Sequence, residues 1–319
     1  MLSAAAHAAG AQDFPHRTLY VVATPIGNLA DITLRAVHAL SLVDAVACED
    51  TRQSALLLQV LGLHKPLMAL HEHNETEGAR RVVERLSRGE RVAYVSDAGT
   101  PAVNDPGAVL VRAVRTAGFR CLPLPGASSV LAALSVAGDG SRSGFRFLGF
   151  LPTKGSARAQ ALEAAVTETC SVVLFESPHR IETLGRELAD ACPLRTLTVA
   201  RELTKQFETV HTLAAGDFPA WLAAEANRRR GEFALVLHGA ALGAPDQLAT
   251  NAAVDARAAP VCAAEHAARR TLKILLQALP VKQASTLCAE ISGLPRKLLY
   301  QWALEWKGAQ ADDDADADA

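Results

Sequence analysis

Glu49 and Asp50 follow directly on the apolar run Ala45–Cys48, and Glu202 with Lys205 follows the run Thr196–Ala200 in the same way. A carboxylate or lysine at the end of a buried strand sits on a fixed element with its head at the sheet edge, where it can take a proton from a weak nucleophile. If Glu49 and Asp50 face one cleft, their repulsion should raise one pKa toward the useful range. Plainer roles stand beside this one. Asp50 can cap a helix starting near Thr51 or pair with Arg52, and Glu202 can pair with Lys205 at the surface. His71 and His73 alternate, so an extended segment points them the same way, but no third ligand lies at metal spacing. They are read as facing solvent or substrate. Cys48, inside an apolar strand, is read as packing.

Small-residue turns offer a second kind of chemistry, close approach of backbone to a ligand. Ser96-Asp-Ala-Gly-Thr-Pro101 ends the run Arg91–Val95: Asp97 is a fixed acceptor, Gly99 removes a Cβ and Pro101 stiffens the exit. Thr24-Pro-Ile-Gly-Asn28 and Pro125-Gly-Ala-Ser-Ser129 end two other runs. There is no GxxxxGK[ST], and the first turn lacks GxGxxG spacing, which excludes a P-loop and a dinucleotide cradle of the usual kind. The N–H and C=O groups that such turns expose suit an adenosine and amino-acid moiety better than a pyrophosphate.

The elements that position these turns alternate regularly. Strands are predicted at 19–23, 45–48, 66–70, 91–95 and 119–124. Between them lie helices at 31–42 with Asp31 as N-cap, at 54–61, at 77–87, from Asp105 or Pro106 to 117, and from the PGASS turn to 136. That period implies a parallel, doubly wound sheet with all the polar turns on one edge. After the Gly/Ser/Arg-rich stretch from Gly138, a second α/β unit is predicted. Its strands are at 145–152, 171–175, 196–200, 207–212 and 233–237, with helices at 157–167, from the turn Glu176-Ser-Pro-His-Arg180 to 191, and at 218–226. The expected organisation is a disordered 1–17, a first α/β domain at 18–138, a second at 139–240, a linker at 241–260, a helical module at 261–308 broken at Pro280 and Gly293-Leu-Pro295, and a disordered acidic tail at 309–319.

A chain of 319 residues allows about two domains with real cores. No apolar run approaches the ~20 residues of a membrane span, and the amino end has neither a basic start nor a continuous apolar segment, so a soluble, unexported protein is expected. Six cysteines without CxxC or regular spacing argue against a disulfide framework or a zinc site and for a reducing cytoplasm. The net charge is −2, but the five aspartates of the last nine residues account for more than that and leave +3 for the rest. Local basic clusters matter more than the sum. These are Arg228-Arg229-Arg230, the set Arg142, Arg146, Lys154 and Arg158, and Lys282, Arg296 and Lys297 near the carboxyl end; each is a candidate phosphate contact or an ordinary solvated face. Aromatic residues make up only 5%, so no stacking platform for bases is evident.

TPIGNL at 24–29, EDTR at 49–52, HEHNE at 71–75, SDAGTP at 96–101, PGAS at 125–128, FLGFLP at 147–152, ESPHR at 176–180, RELTK at 201–205 and RRRGE at 228–232 occur in this order. Together they resemble the ribosomal RNA small-subunit methyltransferase I family of the tetrapyrrole methylase superfamily, over about residues 18–240; the helical tail is similar to that family's extra domain less sharply. The resemblance implies a two-domain α/β tetrapyrrole methylase-like fold, with a parallel doubly wound first sheet and a mixed second sheet. It further implies a homodimer that uses S-adenosylmethionine, without a metal, to methylate the ribose 2′-hydroxyl of a cytidine in the decoding region of small-subunit ribosomal RNA, free or assembled. By the same resemblance the donor contacts fall on Pro25, Ile26, Gly27 and Asn28, on Asp97, Ala98, Gly99 and Thr100, and on Pro125, Gly126, Ser128 and Ser129, with Glu176 and Leu203 closing the cleft. The proton acceptor falls on Asp50 beside Glu49; Glu202 and Lys205, by their place after a second-domain strand, are read as orienting the ribose or backbone. TPIGN stands where tetrapyrrole-methylating relatives have a more glycine-rich turn, which favours the RNA branch. Methylation of a tetrapyrrole or a protein side chain on the same scaffold, and non-catalytic binding of an adenosyl ligand, stay open at this point.

Overall fold

The computed structural model describes residues 1–71, 74–103, 106–140, 144–239, 268, 271–272 and 274–304. His73, Asp105, Arg142, the 241–260 linker, the acidic tail and the ends of the 261–308 module lie outside the described residues. One compact unit comprises Met1–Val136 and Ala200–Val210; the other begins at Ala137, runs through Val199 and resumes at His211.

In the first unit β1 (Thr18–Val22), β2 (Ala45–Cys48), β3 (Leu67–Ala69), β4 (Val92–Val95) and β5 (Arg120–Leu124) form a wholly parallel sheet of order β3-β2-β4-β1-β5. Every residue of β2 and β4 is buried, as a sheet covered on both faces demands. Strand alternation sends Tyr20, Val22, Val46 and Ala93 to one face, against Ala36, Val37 and Leu40 of α2 (Leu34–Leu42) and Leu58 of α3 (Thr51–Val60). Leu19, Ala47, Val92 and Tyr94 face the other way, onto Ala79, Val82 and Leu86 of α4 (Glu75–Ser87) and Leu110 and Val114 of α5 (Ala108–Thr116). Neighbours β1 and β4 are thus followed by helices on opposite faces, which opens a crevice at their carboxyl ends. Pro123 is accommodated because β5 is an edge strand.

Two expectations change. Residues 1–17, expected to lack structure, contain α1 (Leu2–Ala9), which packs on α2 and buries Ala5 and Ala9; Phe14 follows into the same core against Tyr20 and His38. An alanine-rich stretch needs little more than a surface to pack on, since alanine costs least to hold helical. Asp31, expected as the N-cap of α2, lies in a short 3₁₀ turn, and Thr33 caps the helix through Ala36 N–H to Oγ1 at 3.1 Å.

In the second unit β6 (Phe145–Phe150) runs parallel to β7 (Ser171–Glu176), and β10 (Phe233–Leu237) antiparallel to β7, within the order β6-β7-β10-β8-β9, where β8 is Thr196–Arg201 and β9 is Thr209–Ala214. This mixed sheet is covered by α7 (Gly155–Thr167), α8 (Ile181–Ala191) and α9 (Phe218–Ala224), with Leu174, Leu184, Leu188, Phe218 and Leu235 in the core. Near the carboxyl end, helix Val281–Ser292 starts after Pro280 and stops at Gly293 in the left-handed region (φ +71°). Ala284 and Cys288 of that helix pack with Leu272, Leu299 and Trp302 into a separate small core.

Candidate active site

Turns after β1, β4 and β5 are knitted into one surface at the strand ends of the first unit. Thr24 and Gly99 exchange backbone hydrogen bonds, N–H to O at 2.9 and 3.1 Å, as an isolated antiparallel bridge. Thr100 Oγ1 donates to Ala127 O at 3.1 Å. Gly99 sits at φ +80°, where an added Cβ would come within 3.3 Å of Ile26, and one on Gly126 would come within 3.0 Å of Ala23. Glycine is needed at 99 for its backbone and at 126 for close packing. Gly27, Asn28, Asp97 and Ala98 remain exposed, and Pro25 and Ile26 are half-buried. Ser128 lies at the start of α6 (Ser129–Ala137), accepting at 2.9 Å from Ala132 N through its carbonyl.

Asp97 ties in the turn after β2: Oδ1 accepts from Asp50 N at 3.1 Å and Oδ2 from Gln53 Nε2 at 3.2 Å. Gln53 carries no motif and was invisible as a site residue. Asp50 itself caps α3, accepting from Arg52 N at 2.8 Å, and pairs with the Arg52 guanidinium at 2.8 Å. Those hydrogen bonds from the Arg52 side chain and backbone hold the Asp50 carboxyl at about 2, so the upward shift expected for a base is not found at Asp50. Burial pushes the Cys48 thiol up, in keeping with a packing role.

The turn between β8 and β9 reaches the same surface. One side of Gly27 faces it: a Cβ there would lie 2.6 Å from Lys205 Cγ and 3.0 Å from Thr204 Oγ1. Lys205 Nζ donates to Glu202 Oε1 at 3.0 Å, and this pair is mostly shielded, with side chains 29% and 18% exposed. Glu202 (φ +52°) and Thr204 (φ +67°) are both left-handed without being glycine, and Leu203 stands between them. For a β-branched residue that is a genuine outlier.

Glu176 behaves differently. Its carboxylate is fully buried in the second unit, where Oε1 accepts from Arg180 Nε at 2.7 Å and Ser177 N at 2.9 Å. Four members of the basic clusters are also committed to partners. Arg158, proposed for a polyanion, is buried and bonded to both oxygens of Glu187. Arg146 pairs with Glu168, Arg229 with Glu182 and Arg228 with Glu225. Arg228 also lies over the Trp221 ring at 4.7 Å, and His211 stacks on Trp221 at 5.5 Å. Lys154, Lys282, Arg296 and Lys297 are exposed, as is Arg230 beside its own contacts. Among the described residues no group of three His, Cys, Asp or Glu is poised to hold a metal, and no helix is long and apolar enough to cross a membrane.

The family model of the tetrapyrrole (corrin/porphyrin) methylases matches residues 18–219, and that of the RsmI C-terminal HTH domain matches residues 263–307. The ribosomal RNA small subunit methyltransferase I of Neisseria meningitidis serogroup A is 46% identical over 91% of this chain and 94% of its own length. The protein of that name from Escherichia coli O157:H7 is 43% identical over 91% and 96%. The chain belongs to the ribosomal RNA small subunit methyltransferase I family. At the level of fold alone, this member of the family superposes on diphthine synthase with a TM-score of 0.54 and 17% identity, covering 69% of this chain and 90% of the other.

Proposed function

We propose that the chain transfers a methyl group from S-adenosylmethionine to the ribose 2′-hydroxyl of a cytidine in the decoding region of small-subunit ribosomal RNA, as a cytoplasmic homodimer. The observation that carries this is sequence identity above 40% along nine-tenths of the chain to proteins named for small-subunit ribosomal RNA methylation. The knitted turns are of the chemistry such a donor needs, with exposed backbone at Gly27, Asn28, Asp97 and Ala98 and small residues where a ligand must approach closely.

The donor supplies an electrophilic methyl on a sulfonium that is already activated, so the reaction as written calls for no metal. What remains for the protein is alignment and the fate of one proton. The residues assigned to alignment are Pro25 to Asn28, Asp97 to Thr100, and Pro125, Gly126, Ser128 and Ser129. Asp50, spent on its helix cap and Arg52, is an ionised fixture of the α3 start and a weak base. We assign the proton instead to Glu202, held by Lys205 on the turn that lies against one side of Gly27, with Leu203 at the same turn. The exposed Arg230, Lys154, Lys282, Arg296 and Lys297 are the cations assigned to RNA phosphates.

Labelled methyl transfer to small subunits, naked ribosomal RNA and a porphyrinogen tests the assignment. Label is expected in subunits or RNA, in a dinucleotide that survives alkaline hydrolysis because its 2′-oxygen is blocked. Label on a base, on the porphyrinogen or on protein would refute it. Gly27→Ala is expected to weaken donor binding about tenfold, because its Cβ must displace Lys205 Cγ and Thr204 from a packed turn, an overpacking cost of about 1–3 kcal/mol. Calorimetric titration of the variant with S-adenosylhomocysteine reads this directly.

A further inference from the structure

Thr204 violates two rules at once. Its backbone is in the left-handed region at φ +67°, which a β-branched side chain resists and glycine or asparagine would accept without strain. Its hydroxyl oxygen is sealed from solvent and has no hydrogen-bond partner, a state that costs stability wherever it occurs. The rest of the turn is tied down. Lys205 N donates to Glu202 O at 3.0 Å, Glu208 N to Lys205 O at 3.1 Å, Thr204 N to a Glu208 carboxylate oxygen, and Arg201 Nη2 to Phe207 O at 3.0 Å. These bonds hold the 204 side chain in place, with Oγ1 against Gly27 of the first turn. A threonine so fixed keeps beside Gly27 an oxygen that nothing in the protein satisfies.

We infer that the Thr204 hydroxyl is a hydrogen-bonding group for the nucleoside-type methyl donor, a contact assigned to it neither by motif nor by family. The inference rests on the donor reading above, and its approach to Gly27 puts the hydroxyl beside the turn that reading assigns to donor contact. Because a hydroxyl both donates and accepts, it suits either a heteroaromatic edge or an amino-acid terminus of the donor.

Thr204→Val is the informative change: it keeps the β-branch and the shape, and removes only the hydrogen-bonding capacity. Titration with S-adenosylhomocysteine is expected to show affinity about three- to tenfold weaker than wild type, the ordinary worth of one neutral hydrogen bond. The melting temperature of the free variant should equal or exceed wild type, since an orphaned polar atom is gone. Thr204→Ser should bind within about twofold of wild type, because it restores the hydroxyl. Unchanged affinity in Thr204→Val would give the oxygen to an ordered water and overturn the inference while leaving the donor reading intact. A melting temperature that falls along with affinity would make the hydroxyl structural and overturn it equally. Failure of the wild-type protein to bind S-adenosylhomocysteine at all would remove the donor reading itself.

Discussion

Glu202→Gln is expected to lower methyl transfer about 10²-fold while S-adenosylhomocysteine binds with near wild-type affinity, the signature of a lost proton acceptor rather than a lost binding contact. The paired variant Asp50→Asn should keep most of its turnover, since asparagine caps a helix as well as aspartate does and only the exposed Arg52 pair is lost. Both carboxylates are ion-paired, and the contrast rests on the helix cap that Asp50 also serves. Asp50 carries two hydrogen bonds from the Arg52 guanidinium and one from its backbone, and a carboxyl held at about 2 has little appetite for a proton. Glu202 is 18% exposed, fixed by Lys205 at 3.0 Å, and borne on a strained turn packed over Gly27. A pH profile of single-turnover methylation adds a second reading: with its carboxyl held at about 2 by Arg52, Asp50 is expected to contribute no inflection near neutral pH. The reverse result, with Asp50→Asn inactive and Glu202→Gln active, would return the proton to the strand-end carboxylate that motif logic favours.

What could be read from residues alone was mostly what glycine, proline and strand periodicity encode. β2 and β10 were located to the residue because apolar β-rich runs were bounded by turn signals, and the helix breaks at Pro280 and Gly293 are where those residues place them. The turns of the candidate site were legible for the same reason. Their mutual geometry was not: the Thr24–Gly99 bridge joins residues 75 apart, and Asp97 reaches back 47 residues to Asp50. EDTR spacing fits a cap and a catalytic acid equally well, and of the two it is the cap that the Arg52 N–H shows. Thr204 was missed because its intrinsic preference argues against the conformation it adopts. A run of arginines likewise carries no mark of which members are already paired; Arg229 meets Glu182 from 47 residues away, and Arg158 is buried beside Glu187.

Glu176→Ala should produce the largest loss of stability of any single change here, about 3–5 kcal/mol in urea denaturation, by leaving a cationic cluster without its central acid. Glu176 sits at the end of β7, its side chain fully buried. One oxygen holds Arg180, whose Nη1 in turn donates to Leu151 O at 3.1 Å; the other lies 3.9 Å from Arg158 Nη2 without a hydrogen bond. Arg158 donates onward to Pro152 O at 2.9 Å and to Glu187. One carboxylate therefore fixes the segment after β6, the start of α7 and the start of α8 against the end of β7. Alanine removes the charge that lies between two guanidinium groups, and Arg158 retains Glu187 and Pro152 O. Glu176→Gln keeps the shape and the Ser177 contact, so its loss should be smaller. The same pair of variants separates this role from donor contact. If Glu176 only braces the fold, Glu176→Gln at a temperature where it is fully folded will bind S-adenosylhomocysteine like wild type. If its carboxylate addresses the donor, affinity will drop in Glu176→Gln by more than its stability does, and the bracing account will be insufficient.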